Sequence, residues 1–256
     1  MRFNFFRLAS TVSTLFLMTM TVPAIAEPAK NIVLVHGAWV NGSGWKPVYE
    51  LLVKDGYHVS VAEHPLTSFS DDVTAVKRVL AMQEGPTILV GHSYGGAIIT
   101  DAGKDSHVVG LVYIAAHALD QGETEAANGK QFPNATKAIK KTADGFIYLD
   151  PAFYPADFAA DLSREQAEFE AQAQELTAAS VFTTPAGVPA WKTKPSWYAV
   201  AKSDRIINPD LQRMYAKRAH SHTIEVEGAS HSVYESHPKE VAALIEEAAN
   251  HAVDGK

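Results

Sequence analysis

The chain has 256 residues, 46% of them apolar and 20% charged, a composition that suits a folded domain and excludes a disordered one. It contains no cysteine, which excludes a disulfide scaffold, a cysteine-ligated zinc and a cysteine nucleophile. With 22 basic against 29 acidic side chains it has no general attraction for nucleic acid or for an anionic membrane.

Residues 1–26 read as a secretory signal peptide. Arg2 and Arg7 precede an apolar run over 8–22, and Ala24-Ile25-Ala26 follows Pro23 as a small-x-small cleavage site. The run is roughly 15 residues, short of the ~20 that span a bilayer. The expectation is cleavage after Ala26 and a periplasmic or secreted mature protein that begins at Glu27, with no membrane partner.

The rest of the chain alternates strands and helices. Residues 31–35 form a continuous apolar run, as in a strand buried on both faces. A helix over 45–54 closes at Asp55-Gly56, and 57–62 reads as a second strand. Ser70 offers an N-cap to a helix whose Val73, Val76 and Leu80 share one face, with Asp71 and Asp72 at its positive end. Strand 87–90, helix 94–103 and strand 108–115 follow. The pattern then breaks from 117 to 189, where Ser163-Arg164-Glu165-Gln166 is a capping box for a polar helix reaching about residue 176. After Pro195 it returns: strand 196–200, a helix with Asn208 at its N-cap and Pro209 at N1, strand 223–226, and a final helix from Pro238. Such alternation predicts an α/β fold with a mostly parallel sheet of about six strands. The core comprises 27–116 and 190–256, and 117–189 is a helical lid inserted above the strand ends, since a structureless loop of that length is improbable.

Gly91-His92-Ser93-Tyr94-Gly95-Gly96 follows the third strand and opens a helix. By itself Gly-x-Ser-x-Gly arises by chance in roughly one chain in fifteen of such composition. Its position between strand and helix makes it specific, because that tight turn lifts the Ser93 hydroxyl above the sheet at a positive helix end. A serine needs a base. His231, in the loop between the last strand and the last helix, lies at the sheet edge that Ser93 shares, whereas His220 and His222 precede that strand. His220-x-His222 is half a metal site with no third ligand at a recognisable spacing. The acid must follow a strand end between the two; Asp204 does, with Asp120 and Asp210 as rivals. The backbone N–H groups of Tyr94 and Ala38 are placed to hold an oxyanion, the latter from the loop His36-Gly37-Ala38-Trp39 after the first strand. Trp39, Tyr94, His117 and Trp191 are candidate pocket-liners by position.

These motifs, together with Ser203-Asp204-Arg205-Ile206-Ile207-Asn208-Pro209 and Gly228-Ala229-Ser230-His231, make the chain resemble an α/β-hydrolase, similar to compact bacterial esterases, plant methylesterases and hydroxynitrile lyases. The resemblance covers the whole mature chain. It implies a Ser93/His231/Asp204 triad, a lid over the pocket, a small-molecule ester substrate and no cofactor or metal. The lyases carry a lysine immediately after the triad histidine; here that place is Ser232, which argues against cyanohydrin cleavage. The same triad also serves amide, lactone and perhydrolase chemistry, and the fold hosts non-catalytic ligand-binding proteins.

Overall fold

Apart from Met1, the computed structural model describes residues 28–252, so the leader expected over 1–26 lies outside the described residues. The first half of the core runs β1 (Asn31–Val35), α1 (Lys46–Lys54), β2 (His58–Ala62), α2 (Phe69–Leu80), β3 (Thr87–His92), α3 (Tyr94–Ala102) and β4 (Val108–Ile114). The inserted segment carries α4 (Glu125–Gln131), β5 (Ile139–Lys141), β6 (Phe146–Leu149), α5 (Tyr154–Asp157), α6 (Arg164–Gln172) and β7 (Thr177–Ala178). The core then resumes with β8 (Ser196–Ala201), α7 (Pro209–Arg218), β9 (His222–Val226), α8 (Val233–Ser236) and α9 (Pro238–His251).

Six strands form one sheet in the order β2-β1-β3-β4-β8-β9, and every neighbouring pair is parallel. The side-chain period of two divides each central strand between two cores. Ile32, Leu34, Ile88, Val90, Val112 and Ile114 pack with Trp45 at the N-cap of α1, Val48 and Leu52 within it, and Val241, Leu244 and Ile245 of α9. Val33, Val35, Leu89, Leu111 and Tyr113 face the other way, onto Val73, Val76 and Leu80 of α2 and Ile98 and Ile99 of α3. Burying each large apolar side chain contributes about 1.5–3 kcal/mol. Because all six strands run the same way, the loops after β1, β3, β4, β8 and β9 leave the sheet at one edge.

Three local expectations are corrected. Helix α2 is capped by Ser68 rather than Ser70: the Ser68 hydroxyl accepts from the Asp71 amide. Asp72, four residues before Val76 on the inner face of the helix, is fully buried. Helix α6 ends at Gln172. There the Gln174 side-chain amide donates to Leu149 O and Ala171 O, and the Glu175 amide donates to Trp39 O, which draws the chain out of the helix. The inserted segment is also mixed rather than purely helical: β5, β6 and β7 form an antiparallel sheet. Its strands are two to four residues long, too short to show a periodicity.

Candidate active site

The turn from β3 into α3 is forced by close approach. A Cβ on Gly95 would lie 2.5 Å from His36 O, and one on Gly91 would lie 2.6 Å from Gly95 O. Between them Ser93 adopts φ 54° and ψ −122°, a conformation that costs a non-glycine residue on the order of 1–3 kcal/mol. That strain aims the Ser93 hydroxyl away from the sheet.

The loops after β8 and β9 bring two more residues to the same place. His231 Nε2 lies 2.8 Å from Ser93 Oγ, and its Nδ1 lies 2.7 Å from Asp204 Oδ2. All three side chains are buried. Asp204 is held by further donors: the amides of Ile206 (2.7 Å) and Ile207 (2.9 Å) on Oδ1, and Gln212 Nε2 (2.7 Å) on Oδ2. With Asp204 accepting at Nδ1, the imidazole proton sits there and Nε2 is left to accept from the Ser93 hydroxyl. Phe158 meets the His231 ring edge-on at 4.7 Å and His92 lies 4.7 Å from its other side. Burial pushes the His92 imidazole well below its usual range, so a neutral ring donates from Nε2 to His231 O at 2.9 Å.

The two backbone donors expected of an oxyanion site lie close to the serine: Tyr94 follows it in the chain, and Ala38 lines the same cavity after Gly37, where a Cβ would come 2.7 Å from the Ser93 Cβ. Neither the Ala38 nor the Tyr94 amide donates to a protein acceptor among the described residues. Their loops are pinned from behind by Asp72. It accepts from the Tyr94 hydroxyl at 2.6 Å and from the Leu66 amide at 2.8 Å, and its Oδ1 lies 3.4 Å from His64 Nδ1. His64 stacks on His36 at 3.8 Å, and its Nε2 donates to His36 O at 3.1 Å. Burial lowers the His64 imidazole and raises the Tyr94 phenol, so both are neutral hydrogen-bonding groups.

Ser93 opens into a cavity of about 430 Å³ lined by Ala38, Trp39, His117, Glu125, Phe132, Ile147, Phe182, Ile206 and Leu211, among others. Trp39 and His117 therefore stand where the sequence places them. Trp191 does not: its Nε1 donates to Leu119 O at 3.0 Å and its ring lies under the Arg218 guanidinium, away from the cavity. The Tyr94 side chain likewise turns to Asp72 rather than to the cavity. Of the rival acids, Asp120 pairs with Lys192 at 2.5 Å and Asp210 with Arg213 at 2.8 Å. His222 is exposed and stacks on Trp197, and no group of three potential metal ligands forms among the described residues. Gln212, Asp72 and Glu125 escape the sequence reading, since one polar residue on a helix resembles any solvated position. For Gln212 a signal exists: it follows Leu211 on a helix whose buried face also holds Tyr215 and Ala216.

A strained serine after a parallel strand, an imidazole and a carboxylate from later strand ends, and unengaged amides beside the hydroxyl define a hydrolase-type centre. The model of the alpha/beta hydrolase family matches residues 32–244, and the chain belongs to that family. It is 24% identical over 250 residues to the alpha/beta hydrolase nvfD of Aspergillus novofumigatus, covering 87% of this chain and 98% of that one. It is 32% identical over 108 residues to the carbendazim hydrolyzing esterase of a Nocardioides strain, covering 37% of this chain and 45% of that one. Among solved structures, a pyrethroid hydrolase from Sphingobium faniae superposes with a TM-score of 0.74 at 25% identity, covering 86% of this chain and 97% of that one.

Proposed function

We propose that the protein is a serine hydrolase of small carboxylic esters. One observation carries the reading: Ser93 Oγ, His231 Nε2, His231 Nδ1 and Asp204 Oδ2 form a continuous relay of 2.8 and 2.7 Å beside the unengaged Ala38 and Tyr94 amides. Ser93 Oγ attacks the ester carbonyl while His231 Nε2 takes its proton. Asp204 holds the imidazole and stabilises the imidazolium. The two amides donate to the tetrahedral oxyanion. His231 then gives the proton to the departing alcohol, leaving an acyl group on Ser93. Water attacks that acyl-enzyme with His231 as its base, which releases the acid and restores Ser93. No metal or cofactor is called for in these steps.

Residues 117–189 act in this reading as a lid, with Phe132, Ile147 and Phe182 supplying an apolar wall for the acyl or alcohol part. The volume suits a small substrate, since ligand pockets run from about 300 to 1,000 Å³. The relatives named as an esterase and a pyrethroid hydrolase support the same direction. The proposal extends to export: residues 1–26 are a leader, and the mature protein begins at Glu27 in the periplasm or medium. N-terminal sequencing of the exported protein checks this, and an intact Met1 would contradict it.

Hydrolysis of p-nitrophenyl acetate, butyrate and octanoate by residues 27–256, with Ser93→Ala alongside, tests the function. Turnover that disappears in the variant and falls at the longest chain is expected. A native protein that is folded but inert toward all three esters would overturn it.

A further inference from the structure

The cavity that opens at Ser93 has a polar corner that the ester chemistry above leaves unused. His117 follows β4, and its backbone amide donates to Ser93 O at 3.1 Å, which ties it directly to the turn that carries the serine. Its Nδ1 lies 3.3 Å from the Tyr215 hydroxyl. That hydroxyl accepts from Asn128 Nδ2 at 3.0 Å, and the same Asn128 nitrogen donates to Glu123 Oε2 at 2.9 Å. Arg218 clamps Glu123 through both of its carboxylate oxygens. Tyr215 has one proton, and with Asn128 as its donor that proton goes to His117 Nδ1. The imidazole's own proton then sits on Nε2.

Glu125 stands 3.1 Å from that Nε2, on the first turn of α4. It is 4% exposed, and because the Nε2–H is not directed at the nearby carboxyl, neither of its oxygens has a hydrogen-bond partner. Burial pushes its carboxyl well above the usual range. His117 is pushed down to about 3, by burial first and by the nearby His231 second. Both groups are thus held toward their neutral forms, so the corner presents an imidazole N–H and a carboxyl O–H. The same cavity wall carries the apolar side chains of Trp39, Phe132, Phe182 and Leu211. A leucine at position 125 would avoid the cost of an unpartnered buried carboxyl. A partnerless acid on the wall of a cavity is explained by a polar group that enters with the ligand.

We propose that His117 and Glu125 are a specificity-determining pair that selects substrates carrying a second neutral oxygen, a hydroxyl, ether or keto group, over their all-carbon counterparts. The proposal rests on the esterase reading and names the substrate class for it. Glu125 sets the preference, and Tyr215 and Asn128 are positioning residues that fix the His117 tautomer. The polar corner discriminates strongly because an all-carbon ligand leaves it unpaired in an apolar surround.

The test is equilibrium binding, which does not depend on turnover. Ser93→Ala protein is titrated by calorimetry with an aliphatic methyl ketone and with chain-matched ketones in which one methylene is replaced by an ether oxygen. An ether ketone is expected to bind about 10-fold more tightly than the plain one. That preference should survive a second change, Glu125→Gln, which keeps a donor and cannot ionise. It should vanish with Glu125→Leu or His117→Phe, with thermal unfolding confirming that each variant is folded. Equal binding of all the ketones, or a preference that Glu125→Leu and His117→Phe leave intact, overturns the proposal. So does tightest binding by an amine-bearing analogue that requires an intact Glu125 and fails with Glu125→Gln, because Glu125 would then be an ionised carboxylate that binds cations. Loss of ester turnover in the native protein sinks the esterase reading instead and leaves these binding results standing.

Discussion

Two imidazoles border the same cavity in opposite circumstances. His231 has a partner on each ring nitrogen, at 2.8 and 2.7 Å, and the carboxylate behind it accepts four hydrogen bonds. His117 has a supported Nδ1, but its Nε2 faces a carboxyl whose oxygens have no hydrogen-bond partner. The contrast follows from what each must meet. A group that passes the same proton in every turnover gains from partners fixed in advance. A group that meets an incoming ligand must keep some of its hydrogen-bonding capacity unspent, and the fold bears that cost. In the proposed reading, the chemical side of the cavity is therefore closed and the recognition side is open.

The comparison can be broken at either wall. The largest effect belongs to Ser93→Ala, which should lower kcat for p-nitrophenyl butyrate by on the order of 10⁴–10⁶-fold. Asp204→Asn should cost on the order of 10⁴-fold in kcat with the circular-dichroism spectrum unchanged, since the wrong imidazole tautomer then faces Ser93. Tyr94→Phe acts on the oxyanion side from a distance. It removes a 2.6 Å hydrogen bond to buried Asp72 and should lower kcat about 10-fold with KM held, alongside about 1–3 kcal/mol of stability by urea unfolding. At the recognition wall the sign reverses: Glu125→Leu should raise Tm by about 2–4 °C, because an unpaired buried polar group is removed. A fall in Tm there would mean that Glu125 is satisfied in the folded protein, and the contrast between the two walls would fail.

The smallest effect concerns the contact between the inserted segment and the core. Gln166 of α6 donates to Glu170 (3.0 Å) and to Glu235 of α8 (3.2 Å). Burial, then the neighbouring Glu170 charge, pushes the Glu235 carboxyl up to about 9. Its folded value exceeds its unfolded one, so the native state holds a proton that the unfolded chain has lost. The stabilisation is full below about 4.5 and fades as the pH rises through about 9. Native Tm should therefore fall relative to that of Glu235→Gln across this window, and parallel Tm curves would contradict it.

The legibility of the two walls differs for the same reason. The relay is largely legible in chain order and strand ends: an alternating βα pattern puts the loops after β3, β8 and β9 at one edge, which brings Ser93, Asp204 and His231 there while leaving Asp120 and Asp210 as rivals to the acid. The fold was legible on equal terms, because Val33 and Leu34 of a strand buried on both faces announce themselves as an unbroken apolar run. The recognition wall depends on how the inserted segment folds, and there the signals are weak. Strands of two to four residues carry no periodicity, and Glu125 at the first turn of a helix looks like a favourable charge near the helix dipole until its burial is seen. Trp191 illustrates the opposite error. Its place just before β8 suggests the cavity, but the Leu119 carbonyl and the Arg218 guanidinium claim it first. Asp72 reads from sequence as a charge suited to the positive end of α2, and only its place four residues before Val76, on the buried face of that helix, hints at its position inside the core.

The most direct test of the central claim is mass spectrometry of the protein after reaction with a p-nitrophenyl phosphonate, a covalent probe for an activated serine. The account predicts one phosphonyl group per chain, located on the peptide that contains Ser93, with labelling abolished in Ser93→Ala and strongly slowed in His231→Ala. A label on another residue, or equal labelling of the native protein and Ser93→Ala, would contradict it.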